Sequence, residues 1–218
     1  NLILKKYEKK LIIKKEERVS SYSAVNQIDL LKKALSISSG DIICLLDADD
    51  YFKNDKLEKI DNIFSQNTRI DVTFDKPKIL INNNYNNFKI KKKLSRYIWP
   101  TIFPTSSISV KRSFLKIFFE NKNLYSYPTL EIDFRITSLS QMIYKNFFIT
   151  NENITVYRNV SDGIMANIKK FSKKWWIKRL DAHYFINDIY LKNKKSYKKN
   201  YDFYLTKSIN YLLNIGIK

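Results

Sequence analysis

Ser39-Gly40-Asp41-Ile42-Ile43-Cys44-Leu45-Leu46-Asp47-Ala48-Asp49-Asp50-Tyr51-Phe52 is the stretch whose reading decides the fold of this 218-residue chain. Ile42 to Leu46 is an apolar run of strand length without alternation, which predicts a strand buried on both faces, as in a parallel sheet. Before it, Ala24 to Ser38 places Ile28, Leu31 and Leu35 three and four apart, an amphipathic helix with Gly40 just past its end. After it, Asn54 or Asp55 is positioned to cap a helix whose apolar face is Leu57, Ile60, Ile63 and Phe64. Helix, buried strand, acidic turn, helix is an α/β order. Ligands of such sheets sit at the carboxyl ends of strands, where the acids Asp47, Asp49 and Asp50 fall.

Working outward, residues 1–10 read as the end of a helix and Leu11 to Lys14 as a short strand. Asp71 to Phe74, Lys78 to Ile81, Ser107 to Val110, Phe147 to Ile149 and Ile154 to Tyr157 read as further strands, with the Asn-rich Asn82 to Asn87 as a turn. Phe114 to Phe119 is a helix. A longer one opens at Pro128-Thr129 and runs to about Tyr144, with Ile132, Ile136, Leu139 and Ile143 on one face. The expected domains are 1–168 for the α/β unit and 169–218 for two basic amphipathic helices joined near Lys192 to Lys199.

Composition bounds the chemistry. Apolar residues make up 44%, which excludes a disordered chain, and no apolar run approaches the length of a membrane span. Cys44 is the one cysteine, so an internal disulfide or a multi-cysteine metal site is excluded, and its place in the buried run makes it a small hydrophobe. With only 3 glycines there is no glycine-rich phosphate loop. The net charge of +19 reads as attraction to an anionic partner or as compositional drift in a chain rich in Lys and Asn.

In an extended backbone Asp47 and Asp49 point to one side, and two carboxylates forced together repel unless a cation lies between them. A hard divalent ion, Mn2+ or Mg2+, suits such an all-oxygen site. The plainer alternative is that Asp49 and Asp50 are turn and cap residues.

Residues Ser39 to Phe52, followed by Lys56-Leu57-Glu58 and preceded by Gln27, resemble the centre of the family 2 glycosyltransferases of the GT-A fold; the likeness spans roughly Leu2 to Glu58. Lys32 and the pair Lys33-Ala34 depart from the usual pattern. The resemblance implies a Rossmann-like nucleotide-diphospho-sugar transferase sheet, lacking its first strand or strands, plus C-terminal helices. It also implies that Asp47 and Asp49 hold the metal and the donor diphosphate, with Asp50, Gln27 and Arg158 on the donor side. Downstream, Thr105-Ser106-Ser107 with Lys111-Arg112 resembles the acceptor-side segment, and Glu131-Ile132-Asp133-Phe134-Arg135 resembles the acidic helix start that supplies the base. Asp133 is the expected base and Glu131 the reserve; an acid in a first helical turn is also simply favoured by the helix dipole. Tyr157-Arg158 resembles the pair ending a late strand, and Arg158 is expected either to contact the diphosphate or to pair with a neighbouring acid. Asn159-Val160-Ser161 follows where the family often has a histidine, so no histidine metal ligand is expected there, and His183, the single histidine, reads as a packing or surface residue.

The implied activity is metal-dependent inverting hexosyl transfer from a nucleotide-sugar donor to a glycan or lipid-linked acceptor in envelope polysaccharide synthesis, in the cytoplasm at the inner face of the membrane. Segments that grip the nucleoside in that family have no counterpart here, so the chain is expected to be N-terminally truncated and itself inactive. The rival readings are an inactive remnant acting as a binding module and a basic nucleic-acid-binding protein, the latter without any nucleic-acid motif. Residues 169–218 carry +10 of the charge. Their aromatics Trp175, Trp176, Tyr184, Phe185 and Tyr190 serve either a peripheral membrane contact or packing on the domain.

Overall fold

The computed structural model describes residues 12–90, 99–120, 123–158 and 168–215. The predicted helix end at 1–10 and Leu11 lie outside them, and residues 12–14 form no strand.

Helix α1 (Ser23–Ile37) lies within a residue of its predicted span and buries Ala24, Val25 and Ile28. Its approach is stitched by Asn26, whose Oδ1 accepts from Val19 N and Ser20 N, both at 3.0 Å. Strand β1 (Ile42–Cys44) follows, then β2 (Tyr51–Phe52) and α2 (Lys56–Gln66). On α2 the predicted apolar face is shifted: Leu57 is 64% exposed, while Lys56 at 0% takes the inward position one turn before Ile60.

After α2 come β3 (Val72–Phe74), β4 (Lys78–Ile81) and β5 (Asn84–Asn87). The asparagine run is only partly a turn. Asn82 and Asn83, with φ of 46° and 64°, form the two-residue left-handed link that hairpins favour. The rest is strand β5, paired antiparallel to β4. Strand β6 (Ile108–Lys111) leads into α3 (Arg112–Phe119).

Helix α4 (Ile132–Ser138) begins later than Pro128 because Arg135 ties the preceding loop into a fixed shape. Its buried guanidinium donates to Leu130 O, Leu124 O and Tyr127 O at 2.9, 2.7 and 2.5 Å. From Leu139 to Tyr144 the helix widens to π geometry and stops at Lys145 in the left-handed conformation. Ile132, Ile136, Leu139 and Ile143 are all buried, as their spacing predicts. Strands β7 (Phe147–Ile149) and β8 (Thr155–Arg158) and helices α5 (Lys173–Lys192) and α6 (Tyr201–Ile215) complete the order.

One sheet runs β1-β6-β3-β7 and a second β2-β8-β4-β5. Strand β1 pairs antiparallel with β6, which corrects the parallel expectation. The two-faced burial behind that expectation is real: Ile43 packs on the main core around Ile28, Val72 and Phe74, while Ile42 and Cys44 face Ile60 and Phe64. An apolar run reports covered faces, and helices cover both faces of this mixed sheet whatever the ladder direction.

Helix α5 sends Phe185, Ile186 and Ile189 into the same core, and Tyr190 packs against it. His183 is fully buried, its ring nitrogens 3.0 Å from Tyr197 OH and from Asp202 Oδ2, so it ties α5 to α6. Among the described residues no helix is long and apolar enough to cross a membrane.

Candidate functional site

Past β1, Leu45 N still holds the sheet by donating to Ile108 O at 3.0 Å. Two residues on, the Asp47 N–H turns aside to the Ser106 hydroxyl at 2.9 Å, and Asp50 N closes back on Asp47 O at 3.1 Å. Asp47-Ala48-Asp49-Asp50 is therefore a β-turn. This corrects the expectation of extended backbone, so the convergence of Asp47 with Asp49 inferred from strand alternation does not apply. Burial pushes the Asp47 carboxyl above its ordinary value, and the charge of Asp50 adds more to this than that of Asp49.

Asp50 is buried, which raises its proton affinity too. Its Oδ1 accepts from Arg158 N at 2.8 Å, and its Oδ2 has no partner among the described residues. The Arg158 guanidinium donates through Nε to Asp49 O. Arg158, at the end of β8, is thus brought to the acidic turn from both its backbone and its side chain.

Gln27 reaches the turn from α1. Its Nε2 donates to Asp47 Oδ1 at 3.4 Å, and its Oε1 accepts from Ile132 N, the first residue of α4, at 3.5 Å. Asp133 follows on that first turn of α4, half-buried, with Oδ1 accepting from Phe134 N at 2.5 Å. Burial pushes its carboxyl up to about 7; neighbouring Glu131 adds to the rise, as does Asp47, while Lys178 opposes it. Glu131, the reserve base, is paired with Lys178 of α5, whose ammonium lies 2.5 Å from its carboxylate.

Tyr157 marks where these groups meet. Burial raises its phenol, and Asp50, Asp49, Asp133 and Asp47 all add to the rise. The sequence reading gave it no role of its own. It also missed the fully buried Lys56–Asp75 pair behind the turn, with Nζ to Oδ2 at 2.8 Å. The available signal was a lysine on the apolar stripe of Ile60 and Phe64.

The donor set suits a hard divalent cation. It is all oxygen, its carboxylates raise one another's proton affinity, and Asp50 Oδ2 is a buried acceptor without a partner among the described residues. Among the described residues no three His, Cys, Asp or Glu converge into a cage, so ligand oxygens would complete any coordination shell.

The sequence profile described as "Glycosyl transferase family 2" matches residues 3–126, which takes in the acidic turn and stops short of Asp133 and Arg158. No curated protein matches the chain. The fold is similar to that of S. aureus TarS 1-349 in a crystal structure with UDP-GlcNAc, with a TM-score of 0.54 at 13% identity over 98% of this chain. A second TarS 1-349 structure gives a TM-score of 0.53 at 14% identity over 96%. The chain spans 58% and 56% of those two chains.

Proposed function

Because the chain belongs to glycosyl transferase family 2, we infer that it carries the metal and acceptor sites of an enzyme moving a hexose from a nucleotide-sugar donor to an acceptor hydroxyl. The observation that carries this reading is the Gln27 side chain joining Asp47 of the acidic turn to the head of α4, where burial pushes the Asp133 carboxyl up to about 7. A general base works best with a pKa near the operating pH.

Asp133 takes the proton of the acceptor hydroxyl as that oxygen bonds to the anomeric carbon. On the opposite face the bond from that carbon to the diphosphate oxygen breaks, its electron pair leaving with the nucleotide, and the configuration inverts. Asp47 and Asp49, the acids the family resemblance assigns to this role, would hold Mn2+ or Mg2+, which when bound would supply positive charge to the departing diphosphate oxygens. Asp50 is the acid that fixes Arg158 beside them. Gln27 keeps the turn in register with α4. TarS, of similar fold, was crystallised with UDP-GlcNAc, so UDP is the first nucleotide to try.

The acceptor is a glycan or a lipid-linked glycan of the cell envelope, met at the inner face of the membrane. We place the proposed membrane contact on α6 rather than α5, a choice supported by Phe185 lying in the core and Tyr190 packing on it. The outer face of α6 exposes Tyr201, Tyr204, Tyr211, Leu212 and Ile215, beside the exposed Lys194, Lys195, Lys198 and Lys199.

Calorimetric titration of Mn2+ and UDP into the chain tests the site. Wild type should bind weakly, through the metal and diphosphate alone, and Asp47→Ala or Asp49→Ala, folded by circular dichroism, should bind at least about tenfold more weakly still, a loss of ~1.4 kcal/mol. Equal binding by the variants would overturn the assignment.

A further inference from the structure

Lys56, the first residue of α2, has no exposed surface and lies behind the acidic turn. Its ammonium meets Asp75 Oδ2 at 2.8 Å, Ser106 O at 2.8 Å and Thr155 Oγ1 at 2.6 Å. An ammonium has three protons, and these three oxygens satisfy them. The Thr155 hydroxyl in turn donates to Asp75 Oδ2 at 2.9 Å, and the Phe52 ring lies 4.2 Å from the nitrogen.

Packing alone does not account for this group. A buried ion pair is a poor source of stability next to apolar side chains of the same volume, and the same helix uses Ile60 and Phe64 on its next two turns. What the ammonium fixes is a meeting point of four segments: α2 itself, the end of β3 at Asp75, β8 at Thr155, and the turn before β6 at Ser106. Two of these carry the acidic turn. Ser106 gives its carbonyl to Lys56 and accepts the Asp47 N–H on its hydroxyl at 2.9 Å. Three residues beyond Thr155, Arg158 N holds Asp50 Oδ1 at 2.8 Å. Asp75 balances the charge of Lys56 at contact distance, so its influence on the turn is one of geometry.

We propose that Lys56 is a positioning residue for diphosphate and metal binding, fixing Asp47 through Ser106 and Asp50 through β8. The inference rests on reading the acidic turn as the diphosphate site, but its structural half is testable without any ligand.

The experiment uses Lys56→Met, Ser106→Ala and the double variant of the whole chain, with two readouts. The first is amide hydrogen exchange at Asp47, whose N–H ends on Ser106, against Leu45, whose N–H ends on Ile108 in the sheet. In each single variant Asp47 should lose protection by about tenfold while Leu45 keeps it, because local openings are independent of global stability. The second is Mn2+ affinity in the presence of UDP, which should fall about tenfold in each single variant and no further in the double, as for two residues acting through one chain of contacts. A lysine that merely stabilises the fold would lower the melting temperature and leave the ratio of Asp47 to Leu45 protection unchanged, and that result overturns the proposal. Losses in Mn2+ affinity that add in the double variant overturn it as well. If wild type takes up no Mn2+ with UDP, the donor reading falls and the exchange ratio alone decides for or against Lys56. Where Lys56→Met does not fold, the near-isosteric Thr155→Val removes one of the three acceptors and carries the same comparison.

Discussion

Gln27 donates to Asp47 Oδ1 at 3.4 Å from the middle of α1, while its other amide atom accepts from the N–H of Ile132 at the head of α4. One side chain thus spans the carboxylate turn and the helix that carries Asp133. Gln27→Leu keeps the volume and removes both bonds. Its expected cost is about 1 kcal/mol of stability, the usual net worth of a hydrogen bond lost from a half-buried site. Mn2+–UDP affinity should weaken by about the same energy, some fivefold. Unchanged affinity at unchanged fold would sink the bridging role.

Asp133 sets a pH dependence whose sign can be worked out. Its carboxyl is held at about 7 in the folded chain against an ordinary value of 3.8. In an enzyme that joins this domain to a complete donor site, the transfer rate should therefore climb on an acid limb with a midpoint near 7, and Asp133→Asn should remove the limb and lower the rate by about 10²–10⁴-fold. Stability runs the other way. Between the two values the folded state binds more protons than the unfolded one, so wild type loses stability as the pH rises through that window and levels off above it. Melting curves of wild type and Asp133→Asn should diverge in the variant's favour across the window and stay parallel beyond it. Curves with the same offset at every pH would refute the raised carboxyl.

His183 predicts the opposite separation of effects. It is fully buried between Tyr197 and Asp202, 3.0 Å from each, and contacts none of the acids of the turn. His183→Phe should cost about 1 kcal/mol in chemical denaturation, because it removes the hydrogen bonds to the half-buried Tyr197 and Asp202, the latter still held by Arg179. Mn2+–UDP affinity should not change. A loss of affinity in folded His183→Phe would refute the purely packing role.

Much of this fold was legible because burial writes itself into periodicity. The apolar run Ile42 to Leu46 marked a strand that packs on both faces over Ile42 to Cys44, although Leu46 past its end is 50% exposed, and Ile132, Ile136, Leu139 and Ile143 marked a helix face that is buried at every position. The same signal was silent on ladder direction, so β1 was assigned the wrong neighbour relation. Asn82 to Asn87 was read as one turn because asparagine favours left-handed backbone, yet only Asn82 and Asn83 adopt it. At the site, the residue types Asp47, Asp49, Asp50, Gln27 and Arg158 announced themselves, and the chain does bring them together. The geometry did not: the turn that presses Asp47 against Asp50 depends on Ser106, 59 positions away in sequence. Lys56 was hidden because a lysine in an amphipathic pattern ordinarily marks the solvent side, and its three acceptors come from distant segments.

The outer face of α6 yields the last prediction. Tyr201, Tyr204, Leu205, Tyr211, Leu212 and Ile215, which share one face of the helix, remain exposed, while Phe203, Thr206 and Asn210 are buried. The neighbouring charges are lysines, so a second copy of this chain would meet like charge, whereas an anionic bilayer would meet opposite charge at about 1 kcal/mol per lysine near its surface. The chain should sediment with vesicles containing phosphatidylglycerol and not with neutral phosphatidylcholine vesicles, and about 0.5 M salt should release it, since the Debye length then shrinks well below 10 Å. Tyr204→Ser with Tyr211→Ser should weaken the binding at low salt. Trp175→Ala, on α5, should have little effect. Equal sedimentation with both vesicle types, or a dimer that Tyr204→Ser with Tyr211→Ser dissociates, would assign this face to a different partner.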